Sequence, residues 1–136
     1  MPFSLFFREN LVLFLLLFAV IAAIIIYEMK DKKLVGKQIS AHILTKLVNE
    51  GAILLDIRKP DAFKKAKISG AKNVEADYFG DFAQKISDKN QAIIIYDDNG
   101  FDSKNASRKL IELGFAQVFV LKSGLISWRE ANLPLV

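Results

Sequence analysis

The sequence contains no cysteine. Disulfides, thiolate metal sites and every mechanism built on a sulfur nucleophile are therefore excluded at the outset. Histidine is nearly absent too. The single one, His42, lies beside Thr45 and Lys46 on the polar side of an expected helix, where it reads as a surface residue rather than a catalyst. A strong charge bias is also missing. From Leu34 onward, 15 Lys/Arg stand against 12 Asp/Glu, without the basic stripe or aromatic interleaving of a nucleic-acid surface. No nucleic-acid partner is expected. What the 136 residues do supply is apolar material, 52% of the chain, enough for one domain with a real core.

That material is unevenly spread. From Leu11 to Tyr27, "LVLFLLLFAVIAAIIIY" carries no charge. Extended to residues 11–29, it reaches the roughly 17–25 residues that cross a hydrocarbon core. A cleaved signal peptide would place small residues after the apolar run, whereas "YEMKDKK" follows here. So uniformly apolar a surface also does not suit a buried core helix in so small a protein. The expected organisation is a short tail over 1–10, a membrane-spanning helix over 11–29 in contact with lipid, a charged linker over 30–36 and one domain over 37–136. Lys30, Lys32, Lys33 and Lys37 follow the span against Arg8 and the terminal amine before it, which implies a single-pass protein with its C-terminal domain on the cytoplasmic side of a bacterial inner membrane.

The rest alternates between two patterns. Ser40 suits the cap of a helix carrying Ile43, Leu44, Leu47 and Val48 and ended by Gly51. "AILLDI" (Ala52–Ile57) reads as a buried strand, and Pro60 as the first turn of a small helix through Lys65. "GAKNV" (Gly70–Val74) is a short strand candidate, and Tyr78, Phe79, Phe82 and Ile86 suggest a helix after it. Gln91–Tyr96 is a strand, followed by the acidic loop "DDNGFD" and a helix expected to be capped by Ser103, bearing Ala106, Leu110, Ile111 and Leu113 and closed by Gly114. Gln117–Leu121 is a further strand, and Gly124 precedes a last helix with Leu125, Ile126 and Trp128. Alternating helices and doubly apolar strands predict an α/β domain with a mainly parallel sheet. Ligands in such folds sit at the carboxyl ends of strands, which puts the loops after Ile57 and Tyr96 together.

Over about residues 37–136 the chain resembles the rhodanese family of sulfurtransferases. "LLDIRKPDAFKKAKISGAKNV" (Leu54–Val74) is similar to the family's first signature, a strand ending in Asp-x-Arg, then a short helix and a "GHIPGA" turn, here "AKISGA". The stretch from Ile93 to Val136 resembles its active-site loop, helix, Gly-Phe, strand, Gly-Gly turn, Trp helix and Leu-Pro ending. The resemblance implies a rhodanese-like parallel sheet flanked by helices. It also implies a loop of the form Cys-Arg-x-Gly-x-Arg followed by Ser or Thr, in which the Cys carries a persulfide held by N–H groups and arginines. Position by position, Asp97 replaces the Cys, and Asp98 and Asp102 replace the arginines. Only Gly100 and Ser103 match, and Lys67 stands where His is usual. Charges of one sign about 4 Å apart repel by about 4 kcal/mol at an effective dielectric near 20. The loop Asp97, Asp98, Asn99, Gly100, Phe101, Asp102 and Ser103 is thus unsuited to an anionic sulfur cargo, and the phosphatases related to this fold are excluded by the same losses.

Two uses of the carboxylates remain open. Asp97 can accept the loop's own N–H groups and act as a built-in anion. Alternatively, Asp97, Asp98 and Asp102, with Asp56, form an enzyme site as nucleophile or cation ligands, although "DDNGFD" lacks the bidentate Glu of a calcium loop. No cofactor or metal is expected. Arg58 reads as the structural partner of Asp56, and together with Lys67 these two line the expected pocket. Lys59, Lys64, Lys65, Lys67 and Lys72 form the one local basic cluster, expected around the pocket's rim, as a solvated face or, on a membrane-tethered domain, as a contact for anionic head groups or an acidic partner. Inactive members of the family commonly act in binding or regulation. The resemblance therefore implies a non-catalytic interaction module with a protein partner at the membrane.

Overall fold

A computed structural model describes residues 2–33 and 35–136, with backbone alone for residues 30–33. The chain divides into two compact units, Met1–Lys33 and Leu34–Val136.

The first unit consists of two helices joined by a turn at Asn10. Helix α1 (Phe3–Glu9) ends at Asn10, whose backbone and side-chain N–H groups both donate to the Phe6 carbonyl, at 3.2 and 2.9 Å. Helix α2 (Leu11–Lys33) follows. Its segment Leu11–Met29 has a mean hydropathy of 2.9 and no buried residue. It is long and apolar enough to cross a bilayer and is apolar on every side, as a lipid-facing helix is. Two expected boundaries differ. Part of the 1–10 tail is helical, and α2 runs on through Lys33 because Glu28, Met29 and the lysines are good helix formers. The expected 30–36 linker therefore shortens to 34–36, of which Leu34 lies outside the described residues.

The second unit is the predicted α/β domain. Its elements run β1 (Lys37–Ile39), α3 (Ala41–Asn49), β2 (Ile53–Asp56), α4 (Pro60–Lys65), β3 (Lys72–Asn73), a 3-10 turn (Ala76–Tyr78) leading into α5 (Phe79–Gln84), β4 (Ile93–Tyr96), α6 (Phe101–Glu112), β5 (Val118–Leu121) and α7 (Gly124–Glu130). The five strands are all parallel, in the order β1-β5-β4-β2-β3. Alternation along the strands sends side chains to two layers. Leu54, Ile94 and Tyr96 pack with Leu44, Leu125 and Trp128 on one face; Leu55, Ile93 and Ile95 pack with Phe79, Leu110 and Phe115 on the other. Helices cover both faces, and that is why these strands read as continuous apolar runs.

Ser40 caps α3, its Oγ accepting from the Ile43 N–H at 3.4 Å, and Pro60 opens α4. Three local expectations are corrected. β1 was not foreseen, since only Ile39 of its residues is buried at a sheet edge. The strand in "GAKNV" contracts to Lys72–Asn73. Ser103 is not a cap: α6 begins two residues earlier, after Gly100 at φ 89°, and Ser103 sits buried in its first turn. Gly100 has the conformational freedom that this left-handed entry requires.

Candidate functional site

Because every strand is parallel, the loops after β2, β3 and β4 leave the sheet at one pole. Asp56 pairs in register with Tyr96, so Asp97 begins the loop beside the β2 end. There the backbone turns sharply into α6 and presents the unpaired N–H groups of a helix start, which favour a negative charge. The occupant is the chain's own Asp97. Its carboxylate, 5% exposed, accepts from the Gly100 N–H at 2.6 Å, the Asp102 N–H at 3.0 Å and the Ser103 hydroxyl at 2.9 Å. Asn99 Oδ1 takes the Phe101 N–H at 2.9 Å. From the other side the N–H groups of Leu125 and Ile126 donate to the carbonyls of Asp97 and Asp98 at 3.0 and 3.3 Å. Gly124, at φ 55°, lies against the loop so closely that any Cβ would collide with its backbone.

A second buried pair stands beside this loop. Asp56 Oδ1 accepts from the Arg58 N–H at 2.8 Å, and Oδ2 accepts from Nη2 at 2.7 Å, with side-chain exposures of 0% for Asp56 and 7% for Arg58. Arg58 also donates to the Ala66 carbonyl at 2.6 Å, and Asn73 ties the carbonyls of Asp56 and Arg58 together. Burial works against the Arg58 charge, but the hydrogen-bonded Asp56 outweighs it and the guanidinium pKa rises. Tyr96 lies beneath, its hydroxyl accepting from the Ile68 N–H at 3.2 Å. Burial first, and the neighbouring Asp56 second, push its phenol pKa above the ordinary value.

Above these groups opens a cleft of about 450 Å³. Arg58, Asp97, Asp98, Asn99 and Asp102 line it, as do Lys59 on the loop after β2 and Glu75 and Asp77 on the stretch after β3. The sequence reading missed Glu75 and Asp77, although the parallel topology it inferred brings the chain after β3 to this same pole. Asp56 lies below the cleft, locked to Arg58. Lys67 does not line it: the ammonium rests over the Phe63 ring at 4.6 Å and the backbone pairs with Val136. Arg58 borders the cleft, its Nη1 3.7 Å from the exposed Asp98. Its charge is already matched by Asp56. Phe101 is 70% exposed on the loop's outer side. Among the described residues no group of three carboxylate or imidazole side chains converges as a metal site would require.

Taken together, a doubly covered parallel sheet and a strand-to-helix loop shaped to hold an anion define an α/β domain with a self-occupied anion cradle. Residues 40–131 match the rhodanese-like domain family, and the chain belongs to it. It is 33% identical over 124 residues to the Uncharacterized protein YibN of Escherichia coli K12, covering 87% of this chain and 85% of that protein. It is 30% identical over 99 residues to the Thiosulfate sulfurtransferase GlpE of Actinobacillus pleuropneumoniae serotype 7, covering 72% of this chain and 91% of the relative. Among solved structures, the rhodanese-like domain of an Anabaena protein superposes with a TM-score of 0.65 at 26% identity, over 73% of this chain and 77% of that one. A rhodanese-related protein of Thermoplasma volcanium shares the fold at the same TM-score and 21% identity, over 74% and 97%. The chain has the fold of these proteins and lacks the thiol on which sulfur transfer by a cysteine depends.

Proposed function

We propose that this chain is a single-pass protein of a bacterial inner membrane, and that its cytoplasmic rhodanese-like domain is a catalytically inactive module that binds or regulates a protein partner. One observation carries the reading. The position expected to hold the nucleophile is Asp97, and its carboxylate is already consumed by the donors that would otherwise hold a substrate anion. A group buried and hydrogen-bonded in this way is poorly placed to attack a substrate. The carboxylates around it would repel thiosulfate or a persulfide.

Membrane location is supported by the apolar helix Leu11–Met29. The cytoplasmic side is supported by the lysines after it, which resist translocation. Bacterial origin is supported by the relatives. The partner is a protein met at that surface. Crosslinking in intact membranes, followed by mass spectrometry, identifies it.

Catalytic inactivity is tested on the purified chain with thiosulfate and cyanide. The rate is expected to equal that of Asp97→Ala. A wild-type rate clearly above that variant overturns the reading, and so does a sulfane adduct found on the protein by intact-mass measurement.

A further inference from the structure

Asparagine precedes glycine once in the chain, at Asn99–Gly100, in the exposed part of the loop that Asp97 closes. This pair of residues has a chemistry of its own. The main-chain nitrogen of the second residue, once it has lost its proton, attacks the side-chain carbonyl carbon of the asparagine. A C–N bond forms, the side-chain nitrogen takes up a proton and leaves as ammonia, and a five-membered succinimide remains. Water then opens the ring at either carbonyl to give aspartate or isoaspartate, with nothing oxidised or reduced. Glycine favours the closure because no Cβ stands in the way and the main chain turns freely. By sequence alone, Asn99 is the most reactive asparagine of the chain.

The fold withholds the nucleophile. The attacking atom is the Gly100 nitrogen, and its N–H donates to Asp97 Oδ1 at 2.6 Å inside the buried floor of the loop. Losing that proton would set an anion against a carboxylate that is itself 5% exposed. Two like charges about 4 Å apart, at an effective dielectric near 20, already disfavour the ionised form roughly a thousandfold. The side chain under attack is tied down as well, since Asn99 Oδ1 accepts from the Phe101 N–H at 2.9 Å. That bond polarises the carbonyl, but without an ionised nitrogen the polarisation has nothing to act on. Nor can the loop swing away by itself: Gly124 packs on the Asp97–Asn99 backbone, and the N–H groups of Leu125 and Ile126 hold the carbonyls of Asp97 and Asp98.

We propose that Asn99 is a latent deamidation site, kept dormant by the Asp97 carboxylate, which reacts only when the loop opens. The consequence is one-way. Isoaspartate carries the main chain through its side-chain carbon and so adds a methylene between residues 99 and 100, which moves the N–H groups of Gly100 and Asp102 out of register with Asp97. Either product adds a carboxylate beside Asp98 on the wall of the cleft. The closed loop thus preserves both the shape and the charge of the cleft, and the inference depends neither on the membrane span nor on a partner.

The full chain in detergent micelles is incubated at mildly alkaline pH beside a synthetic peptide spanning Tyr96–Lys104, at a temperature where Trp128 fluorescence shows every variant folded. Peptide mapping with fragmentation follows the replacement of NH2 by OH at residue 99, and the isoaspartate formed there. The folded chain is expected to react roughly a hundredfold or more slowly than the peptide. Asp97→Asn keeps an acceptor for the Gly100 N–H and removes the charge, so the reaction at Asn99 is expected to accelerate about tenfold or more. Phe115→Leu separates the loop from global stability: it trims the core beyond the far end of α6, lowers stability without touching the loop, and is expected to leave the rate near that of the wild type. A wild-type rate within about threefold of the peptide overturns the proposal. So does Asp97→Asn reacting no faster than the wild type, or Phe115→Leu reacting as fast as Asp97→Asn.

Discussion

The Ser103 hydroxyl donates to Asp97 Oδ1 at 2.9 Å, joining the end of β4 to the first turn of α6 inside the buried floor of the loop. Ser103 thus serves a side chain rather than a helix terminus. The terminus is served by Asp97, which receives two N–H groups from beyond its own turn.

Removing that carboxylate strands three donors. Hydrogen bonds to charged groups contribute about 1.5–3 kcal/mol each, and partial access of water to a helix start recovers some of this. Asp97→Ala is therefore expected to lose about 3 kcal/mol and Asp97→Asn about half as much. Chemical denaturation followed by the fluorescence of the single tryptophan, Trp128, reads the loss.

Restoring sulfur alone should not restore sulfur transfer. In Asp97→Cys the thiol would sit beside Asp98 and Asp102, where the resemblance to active relatives expects arginines. Repulsion of about 4 kcal/mol for one close charge corresponds to roughly a thousandfold. Thiosulfate-to-cyanide transfer by Asp97→Cys is expected to stay at background, and an activity within tenfold of a sulfurtransferase relative would show that backbone N–H groups suffice.

The buried pair offers a contrast between one loss and two. Arg58→Ala leaves Asp56 charged and unpaired at 0% exposure, at a cost of about 3–5 kcal/mol. Asp56→Ala does the converse. In the double variant neither charge is stranded, so its loss is expected to fall well below the sum of the singles. A double-mutant cycle by urea unfolding measures the coupling, and simple additivity would refute it.

Tyr96 gives the domain a dependence on alkaline pH. Its folded pKa lies above the usual value of about 10, because burial and then Asp56 disfavour the phenolate. The stabilisation is complete below the unfolded pKa. As pH rises past it the unfolded chain loses the proton and the folded one keeps it, so stability falls until the folded pKa is reached. The slope is about 1.4 kcal/mol per pH unit. Lysine titration is common to wild type and Tyr96→Phe, so the difference between their unfolding curves across pH 9 to 11 isolates the phenol. The steeper decline is expected in the wild type.

The layers of the fold were legible because period and burial agree: Ile93 to Tyr96 are apolar on both sides and both sides are covered. Loss of the thiol was legible from composition alone. The edge strand β1 was not, since Lys37 and Gln38 carry no apolar pattern and pair only through backbone. Glu75 and Asp77 escaped notice because their place in the cleft depends on where β3 lies in the sheet, and a two-residue strand signals this weakly. The start of α6 was misplaced by three residues, with Gly100 rather than Ser103 in the cap position, because a cap is ordinarily sought next to the helix, whereas Asp97 reaches in from the strand end.

The turn before α7 separates two neighbouring positions that share a left-handed backbone. Ser123 has φ 60° with its side chain exposed, and Gly124 has φ 55° with the Asp97–Asn99 backbone against it. At Ser123 only the local backbone cost matters, about 1–2 kcal/mol for a residue with Cβ, partly offset by the greater freedom of glycine in the unfolded chain. Ser123→Gly is expected to be neutral or stabilising by up to about 1 kcal/mol. At Gly124 the same cost is joined by collision with main chain that cannot rotate away, for a total of about 3–4 kcal/mol in Gly124→Ala. That substitution also presses on the carbonyls accepting from Leu125 and Ile126, so amide hydrogen exchange should accelerate at both residues and at Gly100 and Asp102. Equal effects at the two positions would mean that the loop yields freely, and that the carboxylate of Asp97 rather than the contact with Gly124 holds it shut.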